Sequence, residues 1–338
     1  MKRRDEFGLI RLLTGGQQTP DTLASRLVVG NGDDAAVMSG RTGYDWIACC
    51  DTMVEHVHFA RRTMRPFDIG HKALAANISD IAAMGGIPLF YLVSLGLPAS
   101  FEEAEIVEIY EGMSRLAATY HMALVGGDTV AIPGDGPLTI TVTVLGEVET
   151  GRSLTRAAAK PGDRIFVTGP VGSSGAGLHA LLACGIDELP ERWQTIAEAH
   201  RLPMPQVTAG RVLGESGARI ALNDVSDGLA SEAWEIAEAS RATLVLTEDT
   251  IPIADDVVAY AAATGLHAQE WTLYGGEDYQ LIGCAPPDEQ ERLTRAFQDA
   301  GLSLHWIGYV TEGLEQVRIR RASGEEALLA KKGYNHFQ

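Results

Sequence analysis

Five short aspartate runs recur along this chain, each set among Gly, Ser, Asn or Thr beside an apolar stretch. They are Gly30-Asn31-Gly32-Asp33-Asp34, Cys49-Cys50-Asp51-Thr52, Asn77-Ile78-Ser79-Asp80, Gly126-Gly127-Asp128-Thr129 and Asn223-Asp224-Val225-Ser226-Asp227-Gly228. Taken singly, each has a plain structural reading. Asp33-Asp34 reads as a turn, and Asp227 as the N-cap of a helix starting near Leu229, a role worth about 1 kcal/mol. Their coincidence is the informative part, because turn aspartates have no need to follow apolar strand ends repeatedly. Carboxylates beside tight turns are the hard oxygen ligands of Mg²⁺, which is commonly held by a few carboxylates together with substrate phosphates. The pattern therefore points to phosphate chemistry run through metal ions.

The charge fits that reading. A formal net charge of -18 argues against nucleic acid as a partner, since that class presents a basic face to the backbone phosphates. An acidic pocket also repels a nucleotide unless divalent cations lie between them, although solubility alone accounts for a global excess of acid. At 338 residues, with 46% hydrophobic and 21% charged residues, the chain is globular and long enough for two domains. Its four cysteines, Cys49, Cys50, Cys184 and Cys284, form no CxxC pair and suggest a reduced, cytoplasmic protein. The basic start Lys2-Arg3-Arg4 is followed by no apolar signal region, and no apolar run approaches the roughly 20 residues that span a bilayer.

Strand-like and helix-like stretches alternate through the first half. Trp46 to Cys50 reads as a buried strand delivering Asp51 at its end, with Val54 to Phe59 extending it. Asp68 to Met84 is helical and stops at Gly85-Gly86, with Asn77 and Asp80 three apart on one face. Leu89 to Leu97 is a strand, and Phe101 to Tyr120 an amphipathic helix with Ile106, Ile109, Tyr110, Met113 and Ala117 on one stripe. Met122 to Val125 reads as a short strand ending at a Gly126-Gly127-Asp128 turn, and Leu138 to Gly146 alternates like a half-exposed strand. The turn-rich stretch near Glu149-Thr150-Gly151 marks the domain boundary, giving domains at 1–150 and 151–338. Beyond it come a strand (164–168), a glycine-rich loop (169–177), a helix (178–184), a strand (220–222) and a helix (229–239) whose inward residues are Leu229, Ala233, Ile236 and Ala237. Two α/β domains presenting acidic turns at strand ends is the predicted architecture.

Three other motifs compete. The loop Gly169-Pro170-Val171-Gly172-Ser173-Ser174-Gly175-Ala176-Gly177 stands where a dinucleotide fingerprint would, but out of register with G-x-G-x-x-G, and a tight structural turn is the other reading. No Walker motif occurs, so any use of ATP is not that of a P-loop enzyme. In Glu55-His56-Val57-His58 the two histidines at i and i+2 would share one side of a strand, as zinc ligands can. Tyr110 reads either as core or as a stacking partner for an aromatic ligand.

Taken in order, the motifs resemble the thiamine-monophosphate kinase family, within a superfamily that includes aminoimidazole ribonucleotide synthetase and selenophosphate synthetase. The resemblance covers nearly the whole chain. It rests on the five aspartate runs, Val54-Glu55 with His58-Phe59, Lys72-Ala73-Leu74-Ala75, Leu154-Thr155-Arg156, Lys160-Pro161-Gly162-Asp163, Gly275-Gly276-Glu277-Asp278-Tyr279 and Lys332-Gly333-Tyr334-Asn335-His336-Phe337. It implies transfer of the γ-phosphoryl of ATP to thiamine monophosphate, with several Mg²⁺ ions, in a homodimer. The implied fold is α/β (α+β): an N-terminal ATP- and Mg²⁺-binding domain whose sheet pairs across the dimer into a barrel, and a C-terminal α/β domain completing the cleft. By resemblance, Asp33, Asp51, Asp80, Asp128, Asp224 and Asp227 match metal ligands. Tyr110, Gly127, Arg156 and Ser226 match nucleotide contacts, and His58, Glu277 and Tyr334 match contacts to the thiamine substrate.

The chain departs from the family where relatives often carry Ser or Thr before the strand aspartate and it has Cys49 and Cys50. A neutral thiol is a poor ligand for a hard cation, so any metal contact there runs through the backbone. His56 replaces a frequent Gly, and Tyr274 a frequent Ser, both on the expected substrate side. Aminoimidazole ribonucleotide synthesis is the rival within the superfamily. Selenophosphate synthesis lacks its reactive N-terminal Cys here, and hydrogenase maturation its terminal Cys. A nucleotide sensor and a zinc hydrolase using His56 are the alternatives outside it.

Overall fold

The computed structural model describes residues 6–30, 35–134 and 136–334. The chain divides into two compact units, Met1–Ile81 with Ile87–Thr150, and Ala82–Gly86 with Gly151–Gln338. The short piece Ala82–Gly86 therefore belongs with the second half of the chain.

The first unit is built on a four-stranded sheet in the order Tyr44–Val54, Thr139–Glu149, Ile87–Pro98, Ala123–Ile132. The first two neighbouring pairs are antiparallel and the last is parallel. The strand Thr139–Glu149 alternates buried and half-buried residues along most of its length, as expected where one face is covered. That face meets the helices Pro66–Ala83 and Glu103–Thr119. Cys49, Val144 and Tyr91 form one row across the sheet. The Cys49 thiol donates to the Asn77 carbonyl on the first helix at 3.3 Å, and Tyr91 neighbours Tyr110 and Ser114 of the second. The helices cross closely because two glycines leave room: a Cβ on Gly70 would stand 1.8 Å from the Ile109 carbonyl oxygen, and one on Gly112 2.0 Å from that of Phe67. On the opposite face the sheet carries Cys50, Thr52, Thr141, Thr143, Ser94 and Val130, small or hydroxylic residues with Val130 53% exposed.

Two local readings of this half are corrected. Asp51 lies inside a strand that runs on to Val54, not at its end, and Trp46 to Cys50 is half-buried to exposed rather than buried. Gly126-Gly127-Asp128 is no turn, because the strand Ala123–Ile132 continues through it in parallel pairing with Ile87–Pro98. Gly-Gly reads locally as a breaker, yet here it admits a neighbouring strand: a Cβ on Gly127 would fall 1.9 Å from the Val93 carbonyl oxygen.

The second unit holds a seven-stranded sheet in the order Glu326–Leu328, Gln316–Arg320, Thr243–Thr247, His305–Thr311, Arg164–Val167, Leu281–Ala285, Ala221–Asp224. Only the pairing of Gln316–Arg320 with Thr243–Thr247 is parallel. One face packs Ile165, Val167, Leu244 and Ile282 against the helix Leu229–Ser240. The other packs Phe166, Leu222 and Leu281 against Val207–Glu215 and Gln290–Asp299. A separate helical layer, Ser173–Cys184, Gln194–Arg201, Asp255–Thr264 and Ala268–Tyr274, closes around Trp271, Tyr260 and Leu181. Among the described residues, no helix is long and apolar enough to cross a membrane.

Candidate active site

In the first unit, the strand Tyr44–Val54 and the helix Pro66–Ala83 bring Cys49, Asp51, Asn77 and Asp80 together. Asn77 is the clamp. Its Oδ1 accepts the Asp51 backbone N–H at 3.1 Å, and its Nδ2 donates to the Ala73 carbonyl at 3.2 Å, so strand and helix are tied at the carboxylate. Asp51 and Asp80 share a hydrogen bond. Burial pushes the Asp51 carboxyl up, against the lowering effects of Asp80 and nearby His58. The Cys49 thiol is pushed up much further, by burial first and then by Asp80 and Asp51. Burial and the two neighbouring acids therefore favour its neutral thiol, which donates to Asn77.

Asp128 stands apart from this pair. Register places Thr52, Thr141, Ser94 and Asp128 in one row, whereas Asp51 aligns with Val142, Val93 and Gly127. Asp51 and Asp128 thus project from opposite faces and from strands three spacings apart, about 14 Å at the usual inter-strand distance. Asp33 falls outside the described residues. Tyr110 is buried, 7% exposed, and burial raises its phenol. The Val54 N–H donates to His58 Nδ1 at 2.9 Å, which turns the ring toward the end of this strand.

The paired-histidine zinc reading fails. The strand ends at Val54, where the carbonyl accepts the amides of Val57 and His58, and His56 takes a left-handed φ of 69°. The two rings therefore do not share a strand face. Among the described residues, no three His, Cys, Asp or Glu side chains are grouped to hold a metal ion.

In the second unit three segments converge. The Tyr279 and Glu277 amides donate to the Val225 and Ser226 carbonyls at 2.9 and 2.7 Å, laying Gly275–Tyr279 along Asn223–Gly228. Gly276 permits the approach, since its Cβ would stand 2.5 Å from the Ser226 oxygen. Gly333 lies against the same loop, where a Cβ would be 2.7 Å from the Asp227 carbonyl oxygen. Ser226, Asp227, Glu277 and the 49%-exposed Tyr334 are thereby gathered at one end of this sheet, with Asp224 buried at the strand terminus.

Asp227 is not the helix cap. The N-cap of Leu229–Ser240 is Gly228, without a side-chain cap bond. The loop is held instead by Glu232, which accepts the Asp227 amide at 2.9 Å, the Ser226 hydroxyl at 3.2 Å and the Asn223 amide group at 2.5 Å. Burial pushes Glu232 well up, reinforced by Asp224 and Glu235. Arg156 donates to Asn223 Oδ1 at 2.9 Å and pairs with Glu235 at 3.3 Å, so its guanidinium is already engaged at this cluster. Sequence reasoning missed Glu232, although an acid on the stripe of Leu229, Ala233 and Ile236 was the available signal.

Of the glycine-rich stretch 169–177, Gly169–Gly172 is a turn and Ser173–Gly177 is already helix. At the start of the helix Ser173–Cys184, the amides of Gly172, Ser173 and Ser174 are taken by the chain's own Asp278 carboxylate. The donors a pyrophosphate would need are occupied.

Comparison with known proteins places the chain in a family. The family model for AIR synthase related protein, N-terminal domain, matches residues 32–148, and that for the C-terminal domain matches 160–320. The chain is 46% identical to thiamine-monophosphate kinase of Bacillus subtilis (strain 168), covering 99% of this chain and 100% of that one. This chain belongs to the thiamine-monophosphate kinase family. Two solved structures of this family are similar in fold. That of thiamine-monophosphate kinase from Stenotrophomonas maltophilia K279a has a TM-score of 0.81 at 32% identity, covering 96% of this chain and 98% of that chain. AaThiL complexed with AMPPCP and TMP has a TM-score of 0.77 at 30% identity, covering 100% and 99%. The thiamine-monophosphate kinase relationship thus holds in sequence and in fold across both units.

Proposed function

We propose that this protein transfers the γ-phosphoryl group of ATP to thiamine monophosphate, yielding thiamine diphosphate and ADP. The observation that carries the reading is the end-to-end match to a kinase of that name at 46% identity. A family structure carrying AMPPCP and TMP supports both substrates.

The chemistry needs no general base. A phosphate oxygen of thiamine monophosphate is already anionic at neutral pH and attacks the γ-phosphorus directly, while the bond to the β-bridging oxygen breaks and ADP leaves with its electron pair. The difficulty is charge, because two polyanions must meet in line, and positioning with cationic screening is what lowers that barrier. The donor set fits Mg²⁺. Asp51 and Asp80 offer hard oxygens in contact, and Mg²⁺ ordinarily takes only one or two carboxylates besides substrate phosphates. Asp51 and Asp80 would hold one ion in the first unit; Asp128 in that unit, Asp224 and Asp227 in the second, and Asp33 are assigned to further ions by the resemblance. Bound there, the cation neutralises phosphate charge and draws buried carboxyls such as Asp51 to their ionised form.

The protein side supplies orientation. Asn77 fixes the height of Asp51 on its strand, and Glu232 fixes the loop presenting Ser226 and Asp227. Glu277, Tyr334 and His58 are assigned to the thiamine moiety, and Ser226, Arg156, Gly127 and Tyr110 to the nucleotide. Buried Tyr110 acts from within the helix layer, and Gly127 through its backbone. The first unit is assigned as the ATP- and Mg²⁺-binding domain, in a cytoplasmic homodimer formed through the open face carrying Thr52, Thr141 and Val130. Incubating purified protein with ATP, Mg²⁺ and thiamine monophosphate tests the activity. Thiamine diphosphate is expected, and its absence at saturating substrates overturns the assignment.

A further inference from the structure

Glu277 is held from behind by a residue far away in sequence. A Cβ on Gly177 would lie 2.0 Å from the Ile196 carbonyl oxygen, so the helices Ser173–Cys184 and Gln194–Arg201 cross in direct backbone contact. That crossing sets His200 beside Ser174. The His200 ring is 2% exposed, and its Nδ1 lies 3.1 Å from the Ser174 hydroxyl oxygen and 3.4 Å from Glu277 Oε2. An ionised carboxylate oxygen only accepts, so an imidazole facing it through Nδ1 carries its proton there, shared between Ser174 and Glu277. The Glu277 side chain is 26% exposed, with one carboxylate oxygen turned to the buried imidazole. Its backbone needs such support. Glu277 adopts a left-handed φ of 67° and Tyr279 one of 49°, conformations that persist where surrounding contacts over-determine them. Ser226 holds the Glu277 amide, the Asp278 side chain is anchored on the Gly172–Ser174 amides, and His200 Nδ1 stands 3.4 Å from the Glu277 carboxylate.

We propose that His200 is a positioning residue for recognition of the thiamine substrate: its buried Nδ1–H fixes the carboxylate of Glu277 in the orientation that meets thiamine monophosphate. The proposal rests on the assignment of Glu277 to the substrate. It assigns His200 to Glu277 and so to the substrate side, since its Nδ1 faces Ser174 and Glu277. Loss of the donor frees the Glu277 rotamer and weakens thiamine monophosphate binding while leaving ATP binding intact.

The test is steady-state kinetics on the full chain with both substrates varied, for wild type, His200→Leu, His200→Asn, Glu277→Gln and the double variant His200→Leu/Glu277→Gln. His200→Leu should raise KM for thiamine monophosphate about tenfold, the scale of one hydrogen bond to a charged group, with KM for ATP within about twofold. His200→Asn, whose amide nitrogen takes the place of Nδ1, should recover to within about threefold of wild type. The double variant should be no worse than Glu277→Gln alone, as expected of two groups acting through one contact. The proposal is overturned if KM rises equally for both substrates, if the two single effects multiply, or if His200→Asn melts like wild type and still shows the full defect. An unchanged KM for thiamine monophosphate in Glu277→Gln overturns it at Glu277 rather than at His200. Wild-type turnover in the same experiment tests the kinase assignment separately.

Discussion

Replacing Asp278 by Asn should change how the stability of this protein depends on pH. The Asp278 carboxylate is turned inward onto the amides of Gly172, Ser173 and Ser174, which favour its ionised form, while burial opposes it. Burial wins: the carboxyl is pushed up to about 7, with the neighbouring charge of Glu277 adding to the rise. A carboxyl carried from 3.8 to about 7 corresponds, at about 1.4 kcal/mol per pH unit, to at most about 4 kcal/mol, and to less where water screens this partly exposed residue. The sign follows from which state keeps the proton. Below 3.8 both folded and unfolded chains are protonated, and the contribution is fully present. Between there and 7 the unfolded chain has released its proton while the folded one holds it, so stability falls as pH rises and levels off above 7. Asn cannot titrate, yet it keeps one oxygen to accept the amides. Urea unfolding of wild type and Asp278→Asn across about pH 4 to 8 should therefore show wild type losing ground to the variant through that window. Parallel curves would refute the reasoning, and would mean that three amides at a helix start outweigh burial.

Three further outcomes follow from the site. Asp51→Asn and Asp128→Asn should each lower kcat by at least about 100-fold with unfolding midpoints near wild type, the Asp51 variant unchanged or slightly raised because a carboxyl opposed by burial is removed; activity assays paired with thermal melts check both. Gly127→Ala should cost about 1–3 kcal/mol in urea unfolding, because its Cβ meets the Val93 carbonyl oxygen at 1.9 Å inside a parallel ladder. Cys50 is exposed in a single copy and lies on the open sheet face with Val130, so Val130→Asp should yield monomers by light scattering and speed iodoacetamide labelling of Cys50; equal labelling of wild type and variant counts against a dimer through that face.

Much of the fold was legible because apolar periodicity dominates it. The helices Pro66–Ala83, Glu103–Thr119 and Leu229–Ser240 lie within a few residues of where their stripes predict them. The misreadings have two causes, a partner distant in sequence and a local turn that the pattern does not reveal. Gly126-Gly127 reads as a breaker, and is instead the clearance that lets Ala123–Ile132 pair beside Val93. His56 and His58 read as one strand face until the chain turns at Val54. The aspartates of the metal set were visible singly, but their grouping was not: Asp51 meets Asp80 through Asn77, whereas Asp128 projects from the other face. His200 carried no local mark at all, since its role exists only where two helices cross at Gly177.

The acids of the two units are disfavoured by burial in the same direction but are compensated differently, and this separates their roles. Burial raises Asp51, and its side-chain partner Asp80 is another carboxyl. Burial raises Glu232 as well, yet that carboxylate collects the Asn223 amide group, the Ser226 hydroxyl and the Asp227 backbone N–H. A buried acceptor with three donors is a structural member of its loop, and its removal strands those donors at about 1–3 kcal/mol each. For Asp51 the opposing influences are the Asp80 hydrogen bond and nearby His58, and the Mg²⁺ proposed for this pair would add a countercharge where two phosphate substrates are to meet a chain of net charge -18. Glu232 is thus the residue that keeps Ser226 and Asp227 in place, whereas the role proposed for Asp51 and Asp80 rests on the countercharge a bound cation would supply.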